Sequence, residues 1–271
     1  MNKEENQRGH LIIIGGAEDK FGESRILKEV AGNVNNREGG LVVLTTATEK
    51  PDQVGKEYRD VFKRLGVREI EILNIDSRDD ANREEISEKV KSAAGVFFTG
   101  GDQLRLTSIL GGTRVHYALQ EAHFQGTAVY GTSAGASVMS STMIVEGNNN
   151  DPARKCTLKM APGLGLIDEV IIDQHFDQRG RFGRLLCGVA ENPNILGIGI
   201  DEDTAVMVYP DGRLEVIGTN AVTVIDGRTI KSTNVSELKP DEILAIVNVT
   251  VHVLPQGYGY DLAHREVLRL H

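Results

Sequence analysis

The chain has 271 residues, 40% of them hydrophobic and 25% charged, a composition typical of a globular protein with a substantial core. Its formal net charge of −9 repels polyanions, so nucleic acid is not an expected partner. The first apolar run, Leu11–Ile14, is too short for a signal-peptide core or a membrane span, which predicts a cytoplasmic protein without a membrane contact. Cys156 and Cys187 show no CxxC spacing and indicate free thiols.

Short apolar runs rich in β-branched residues alternate with helical patterns through the first half of the chain. One helical stripe of apolar residues follows Pro51, and a second runs from Val115 to Ala122. This alternation predicts an α/β fold, a three-layer, doubly wound and mostly parallel sheet whose functional loops follow the carboxyl ends of the strands. The predicted strands are LIIIGG from Leu11, LVVLTT from Leu41, IEILNI from Ile70, GVFFTGG from Gly95 and TAVYG from Thr127.

After Leu196 the sequence consists of short apolar segments separated by turns, without the helical patterns of the first half. Segments GIGID, TAVMVY, RLEVIG and AVTVID are separated by turns such as PDG and DG, which predicts antiparallel hairpins added to the sheet. No Pro- or Ser-rich linker interrupts the chain, so residues 1–271 are expected to form a single catalytic domain. The asparagine-rich segment EGNNNDPARK, residues 146–155, is expected to be a mobile surface loop.

The segment YGTSAGAS brackets one serine with glycines two positions away on each side. Gly131-Thr132-Ser133-Ala134-Gly135 follows a predicted strand and precedes a run of small residues, the context in which G-x-S-x-G forms a nucleophile elbow. Side chains at the two glycine positions would collide with the neighbouring strand and helix. The same residues also suit an ordinary glycine-softened bend, so the motif alone leaves both interpretations open.

A serine nucleophile needs a base, and His175 is the histidine best placed to serve as one. It follows the apolar run EVIID at the start of a polar loop, whereas the other histidines lie near the termini, on a helix or in a late strand. The carboxylate that would orient the imidazole lies in GIGIDED, where spacing does not choose among Asp201, Glu202 and Asp203. The order serine, histidine, acid argues against an esterase or lipase of the α/β-hydrolase type.

Two loops carry groups suited to substrate binding. FFTGGDQ ends a strand in two glycines, so the N–H groups of Gly101 and Ala134 are candidate oxyanion-hole donors, although a tight βα turn has the same pattern. DQHFDQRGRFGR places three arginines within ten residues of His175 and suggests a substrate bearing carboxylates, although a solvated charged face would look alike. GGAEDKFG lacks the dinucleotide-binding spacing, and neither a nicotinamide cofactor nor a metal is expected.

Five stretches, spread over about residues 11–206, together resemble the cyanophycinase branch of the peptidase E family of serine peptidases: IGGAEDK, FFTGGDQLRL, YGTSAGASVMS, IIDQHFDQRGRFGRL and GIGIDEDTA. The resemblance implies a flavodoxin-like sheet, as in class I glutamine amidotransferases, with serine in place of their cysteine. It further implies Ser133 as nucleophile, His175 as general base and then acid, and Glu202 as the orienting carboxylate. The implied substrate-pocket residues are Gln103, Asp173, Gln174, Arg179, Arg181 and Arg184.

The same resemblance implies a substrate and a reaction that needs no cofactor. The substrate is cyanophycin, a poly-aspartate backbone whose side-chain carboxyls each bear an arginine, and exo-acting hydrolysis inside the cell releases the β-aspartyl-arginine dipeptide. A homodimer is expected because it is the commonest assembly. Two alternatives stay open: an Asp-X dipeptidase with the same triad, and a non-catalytic binding protein in which Ser133 and His175 do not meet in space.

Overall fold

The computed structural model describes residues 8–149, 152–155 and 158–270, so Cys156 and positions 150 and 151 of the asparagine-rich segment lie outside the described residues. The helices are α1 (Arg25–Asn35), α2 (Pro51–Arg64), α3 (Glu84–Lys91), α4 (Gln103–Leu110), α5 (Arg114–Phe124), α6 (Ala134–Ser137) and α7 (Phe182–Glu191). The strands are β1 (Leu11–Ile14), β2 (Leu41–Leu44), β3 (Ile70–Leu73), β4 (Gly95–Phe98), β5 (Ala128–Thr132), β6 (Thr142–Gly147), β7 (Leu158–Pro162), β8 (Val170–Gln174), β9 (Leu196–Ile200), β10 (Thr204–Val208), β11 (Arg213–Gly218), β12 (Ala221–Asp226), β13 (Ser232–Thr233), β14 (Ile246–Val247), β15 (Thr250–Pro255), β16 (Tyr258–Asp261) and β17 (Glu266–Arg269).

The main sheet has nine strands in the order β17-β16-β11-β10-β1-β5-β4-β2-β3. The five strands from β1 to β3 in this order are parallel, because helical crossovers connect them. Strands β10, β11, β16 and β17 extend the sheet in antiparallel pairs. All five strands expected from the apolar runs are present, and so are the helix that begins at Pro51 and the helix that carries Val115. The predicted α/β fold class with added antiparallel strands is confirmed.

A second, four-stranded sheet, in the order β15-β12-β9-β8, was not expected from the sequence. Strand β9 was expected in a hairpin of the main sheet, but it runs parallel to β8 and antiparallel to β12. The alternation in LGIGI explains the difference. Ile198 faces the core shared with the main sheet, whereas a Cβ added to Gly197 on the other face would lie 2.8 Å from Val189 of α7. The strand is therefore covered on both faces, as parallel strands are.

Buried side chains join the two sheets into one body. Helices α1 and α2 cover one face of the main sheet, while α3, α4, α5 and the second sheet cover the other. Ile13 and Val206 of the main sheet belong to the same buried cluster as Ile198 and Val222 of the second sheet, and α7 packs on the outer face of that sheet. None of the helices in the described part of the chain combines the length and the apolar composition needed to cross a bilayer.

The end of β1 is the point where both sheets meet. The N–H of Ser133, after β5, donates to the carbonyl of Ile14 at 3.0 Å, and the N–H of His175, after β8, donates to the carbonyl of Gly15 at 2.8 Å. The N–H of Gly15 donates to the carbonyl of Thr204, the first residue of β10, at 2.9 Å. The loops that follow β5, β8 and β9 are thereby brought to one edge of the molecule.

We propose that residues 1–271 form a single domain, and we expect the two sheets to unfold together. Ile198→Ala removes a fully buried side chain from the shared cluster, and such truncations typically cost about 2–5 kcal/mol. Urea unfolding followed by far-UV circular dichroism and by tyrosine fluorescence should give one transition, displaced as a whole in the variant. Val253→Ala, at an exposed position of β15, is the matched control and should leave the midpoint nearly unchanged. Two transitions with separate midpoints would contradict the shared core.

Candidate active site

Ser133 lies on a sharp turn between β5 and the four-residue helix α6, with φ 54° and ψ −113°. A residue held in so sparsely populated a conformation costs of order 1–3 kcal/mol and persists where its surroundings determine it. The flanking glycines allow the required close approach, because a Cβ added to Gly131 would lie 2.3 Å from the carbonyl oxygen of Gly135. A Cβ added to Gly135 would lie 2.5 Å from the carbonyl oxygen of Phe98 in β4. The turn has the geometry of a nucleophile elbow and not that of an ordinary bend.

His175, directly after β8, meets both the serine and one carboxylate. Ser133 Oγ and His175 Nε2 are 2.9 Å apart, and His175 Nδ1 lies 2.7 Å from Glu202 Oε1. A neutral imidazole that donates its Nδ1–H to the carboxylate leaves Nε2 free to accept the serine hydroxyl proton. The structure thus brings Ser133 and His175 together, which the binding-protein alternative did not expect.

The three acidic residues between β9 and β10 have different partners. Asp201 accepts hydrogen bonds from the backbone N–H groups of Asp177 and Ala221, at 3.0 and 3.2 Å, and its burial raises the pKa of its carboxyl. Asp203 accepts from the N–H of Asp19 and from a threonine hydroxyl in the turn before β12. Glu202 alone among the three contacts the histidine, so the geometry agrees with the residue that the resemblance implied.

The pKa of His175 is lowered from its ordinary value of 6.5, chiefly because burial disfavours the charged imidazolium. The hydrogen bond to Glu202 opposes this effect, whereas the positive charges of Arg179 and Arg181 add to it. The imidazole is therefore neutral at pH 7, the state in which Nε2 can accept a proton.

The glycine pair after β4 lies against the serine. A Cβ added to Gly100 would lie 3.3 Å from Ser133 Cβ. Gly101 has φ 148°, and a Cβ added there would lie 2.1 Å from the carbonyl oxygen of Ala47, so a side chain at this position would collide with the backbone. Within residues 8–149, 152–155 and 158–270, neither the N–H of Gly101 nor that of Ala134 has an acceptor. Both N–H groups are therefore free to bind a ligand atom, as the donors of an oxyanion hole must be.

Asp173 and two of the arginines form a buried ion cluster beside the site. Arg184 binds Asp173 through Nε, at 2.6 Å from Oδ2, and through Nη2 to Oδ1. Arg181 adds a contact of 3.3 Å from Nη1 to Oδ1, and burial lowers the pKa of Arg181 to about 10 although Asp173 opposes the shift. Arg179 is exposed. The three arginines therefore differ: Arg179 is open to a ligand, whereas the other two are engaged by Asp173.

The two glutamines expected in the pocket also differ. Gln174 Oε1 lies 3.5 Å from Ser133 Oγ, so this side chain contacts the serine hydroxyl. Gln103 donates from Nε2 to the carbonyls of Ile144 and Val145, at 3.1 and 3.0 Å, and so ties the start of α4 to β6. Among the described residues, no group of three His, Cys, Asp or Glu side chains is arranged to hold a metal ion.

One residue at the site was not singled out from the sequence. Glu18, in the loop after β1, is buried, and its carboxylate accepts hydrogen bonds from the hydroxyls of Tyr58 and Thr132. Thr132 immediately precedes the serine. In the sequence, Glu18 is an acidic residue two positions after the glycine pair that ends an apolar strand. The same pattern is typical of a charged residue exposed in a loop, so it does not single out Glu18.

The doubly wound sheet, the strained serine and the histidine hydrogen-bonded to it define a serine peptidase of α/β fold. The chain belongs to peptidase family S51, whose family model matches residues 11–217. It is 38% identical to a cyanophycinase of Synechococcus elongatus, over 96% of this chain and 81% of the relative. It is 35% identical to a cyanophycinase of Geminocystis herdmanii, over 94% of each chain.

Solved structures show the same fold at lower sequence identity. The crystal structure of a peptidase from an acI-B1 Actinobacterium has a TM-score of 0.70 and 22% identity, and covers 98% of each chain. A putative peptidase E protein from Listeria monocytogenes EGD-e has a TM-score of 0.53 and 17% identity, with 79% of this chain and all of that one covered.

We expect Gly135→Ala to disrupt the elbow. The added methyl group would lie 2.5 Å from the carbonyl oxygen of Phe98, so α6 must move and Ser133 with it. The rate at which a serine-directed fluorophosphonate labels the protein should fall by about 10²-fold. Gly32→Ala is the control, because a Cβ at that position of α1 meets nothing within 4 Å. Labelling of the Gly135 variant at the wild-type rate would show that the close contact does not determine the position of the serine.

The labelling rate should also depend on the protonation of His175. Because only the neutral imidazole accepts the serine proton, the rate should fall as the pH decreases through an apparent pKa below 6.5. Arg179→Ala removes a nearby positive charge, which should raise this pKa and move the acid limb of the profile to higher pH. Arg68→Ala, an exposed arginine before β3 at the opposite ends of the parallel strands, should leave the limb in place. If the acid limb of the pH profile does not move in Arg179→Ala, His175 is not the titrating group.

Proposed function

We propose that this chain is an exo-acting hydrolase that degrades cyanophycin to β-aspartyl-arginine dipeptides through an acyl-enzyme on Ser133. The observation that carries the proposal is the chain of two hydrogen bonds from Ser133 through His175 to Glu202, on a strained turn after a central strand. The substrate is inferred from relatives named cyanophycinase that are 38% and 35% identical over nearly the whole chain.

In the acylation step, Ser133 Oγ attacks a backbone aspartyl carbonyl of the polymer, and its proton passes to His175 Nε2. The Oγ–C bond forms as the carbonyl becomes a tetrahedral oxyanion, which the N–H groups of Gly101 and Ala134 stabilise. The C–N bond then breaks, and His175 returns the proton to the leaving amine. Glu202 stabilises the transient imidazolium through its hydrogen bond to Nδ1.

Deacylation follows the same path with water as the nucleophile. His175, neutral again, takes a proton from water while the water oxygen bonds to the acyl carbon. The second tetrahedral intermediate collapses as the bond to Ser133 Oγ breaks, and His175 returns the proton to that oxygen. No cofactor takes part, because the leaving groups and protons are all handled by these side chains.

We propose that Gln103, Asp173, Gln174, Arg179, Arg181 and Arg184 form the substrate pocket. Each cyanophycin unit presents a free α-carboxylate and an arginyl guanidinium, so a pocket needs a cation for one and acceptors for the other. Arg179 is exposed and suits the carboxylate, while the amide of Gln174 offers an acceptor close to the nucleophile. Asp173 is buried and holds Arg181 and Arg184, so it supports the pocket from beneath.

We also propose that the enzyme works as a homodimer in the cytoplasm. Two-fold dimers are the commonest assemblies of soluble proteins. The sequence holds two cysteines without CxxC spacing, as suits a reducing compartment in which thiols stay unpaired.

Release of soluble dipeptide from purified cyanophycin tests the proposed function, with an Asp-X dipeptide as a parallel substrate. Ser133→Ala should lose on the order of 10³-fold or more of the wild-type rate, because the acyl-enzyme cannot form. Ser141→Ala, the same substitution at a serine after α6, is the matched control and should retain activity. Mass spectrometry of the product should give β-aspartyl-arginine.

Each remaining outcome selects an alternative. Activity on the Asp-X peptide alone would contradict the polymer substrate and favour the dipeptidase. Activity on neither substrate, together with no fluorophosphonate labelling of Ser133, would favour the non-catalytic binding protein. Activity that survives in Ser133→Ala would overturn the acyl-enzyme mechanism.

A further inference from the structure

We propose that Glu18 is a positioning residue for the nucleophile, acting through the side chain of Thr132. The inference rests on the proposed role of Ser133 and adds a residue that touches no reacting atom. Glu18 lies in the loop after β1, and its carboxylate accepts a hydrogen bond from Thr132, the residue that precedes the nucleophile.

The carboxylate of Glu18 is buried and has one hydroxyl donor for each oxygen. Thr132 Oγ1 donates to Oε2 at 2.6 Å, and the hydroxyl of Tyr58 donates to Oε1. Burial and the nearby carboxylate raise the pKa of Tyr58 well above 10, so its hydroxyl stays protonated and remains a donor. Lys20 Nζ is 4.0 Å from Oε1 and supplies a partial counter-charge.

Contacts made by Thr132 can fix the orientation of the neighbouring Ser133. The peptide group between Thr132 and Ser133 fixes the direction of the Ser133 Cα–Cβ bond, and the strained φ of 54° needs support from its surroundings. On the carboxyl side, support comes from the buried helix α6 and the close contact of its Gly135 with the carbonyl of Phe98. On the amino side, the hydrogen bond from Thr132 to Glu18 adds a side-chain anchor to the strand pairing with Ile14.

The same loop also holds the base and the acid. The carbonyl of Gly15 accepts from the N–H of His175, and that of Gly16 accepts from the N–H of Asp203, next to Glu202, at 2.9 Å. A Cβ added to Gly16 would lie 2.4 Å from the His175 ring, so the imidazole packs directly on this backbone. Glu18 therefore connects the loop that binds the backbone of His175 to the turn that carries Ser133.

A carboxylate is a poor choice for stability alone at this position. A buried charge must be paired and hydrogen-bonded, and a well-packed apolar residue often stabilises a protein equally well. A buried acid aimed at the neighbour of the nucleophile is better explained by geometry than by stability. Removing its partner hydroxyl should move Ser133 without removing any catalytic group.

Thr132→Val tests this by deleting the hydroxyl while keeping the shape of the side chain. We expect kcat on cyanophycin and the fluorophosphonate labelling rate to fall by about 10- to 100-fold, with KM changed by less than about threefold, because small misplacements of a reacting group slow chemistry more than binding. Thr46→Val is the matched control, since among the described residues the buried hydroxyl of Thr46 has no partner. It should leave both rates near wild type.

Glu18→Gln and Glu18→Leu separate positioning from folding. The amide of glutamine can accept a hydrogen bond from one hydroxyl and donate to the oxygen of the other. Glu18→Gln should therefore keep most of the wild-type labelling rate. Leucine offers neither bond, and Glu18→Leu should label as slowly as Thr132→Val. If the leucine variant does not fold, as judged by circular dichroism, Thr132→Val decides the question.

Two results would overturn the proposal. One is wild-type labelling in Thr132→Val, whatever its melting temperature; the other is an equal loss of rate in Thr46→Val. The labelling readout does not need the polymer, so failure of the wild-type chain to hydrolyse cyanophycin would count against the proposed function and leave this test intact.

Discussion

The site depends on the backbone at the carboxyl end of β1. The carbonyls of Ile14, Gly15 and Gly16 accept the N–H groups of Ser133, His175 and Asp203 in turn. Three segments far apart in sequence thus obtain their spacing from three consecutive peptide groups. Because a side chain at position 16 would occupy the space of the imidazole, glycine there is a requirement of the site and not a feature of a flexible loop.

Electrostatics beside the site follow from burial. An exposed cluster of arginines in an acidic chain would bind counter-ions loosely, but here two of the three share a carboxylate in the interior. Asp173 offsets the cost of burying their charge, and the cluster in turn helps to keep His175 neutral through the positive charge of Arg181. Burial of the ring is the main cause of the lowered pKa of His175, and the charge of Arg181 adds to it.

Much of this arrangement could be predicted from the sequence, where strong local signals exist. The apolar runs at Leu11 and Leu41 are strands, and the glycines around Ser133 have the steric role expected of them. Spacing could not choose among the acids after β9, because all three follow the same strand end and their partners come from distant segments. The second sheet was missed since an apolar strand shows that it is covered but not which sheet it joins. Glu18 was missed because its burial depends on Tyr58 and Thr132, which only the fold brings near.

The two sheets contribute different parts of the site. The serine follows a strand of the main sheet, whereas the histidine follows a strand of the second sheet and the glutamate lies on the connection between the two. The hydrogen bond between Ser133 and His175 therefore requires that both sheets be folded and packed together. Because the two sheets share one buried cluster, the pairing of these side chains is a property of the complete fold and not of either sheet alone.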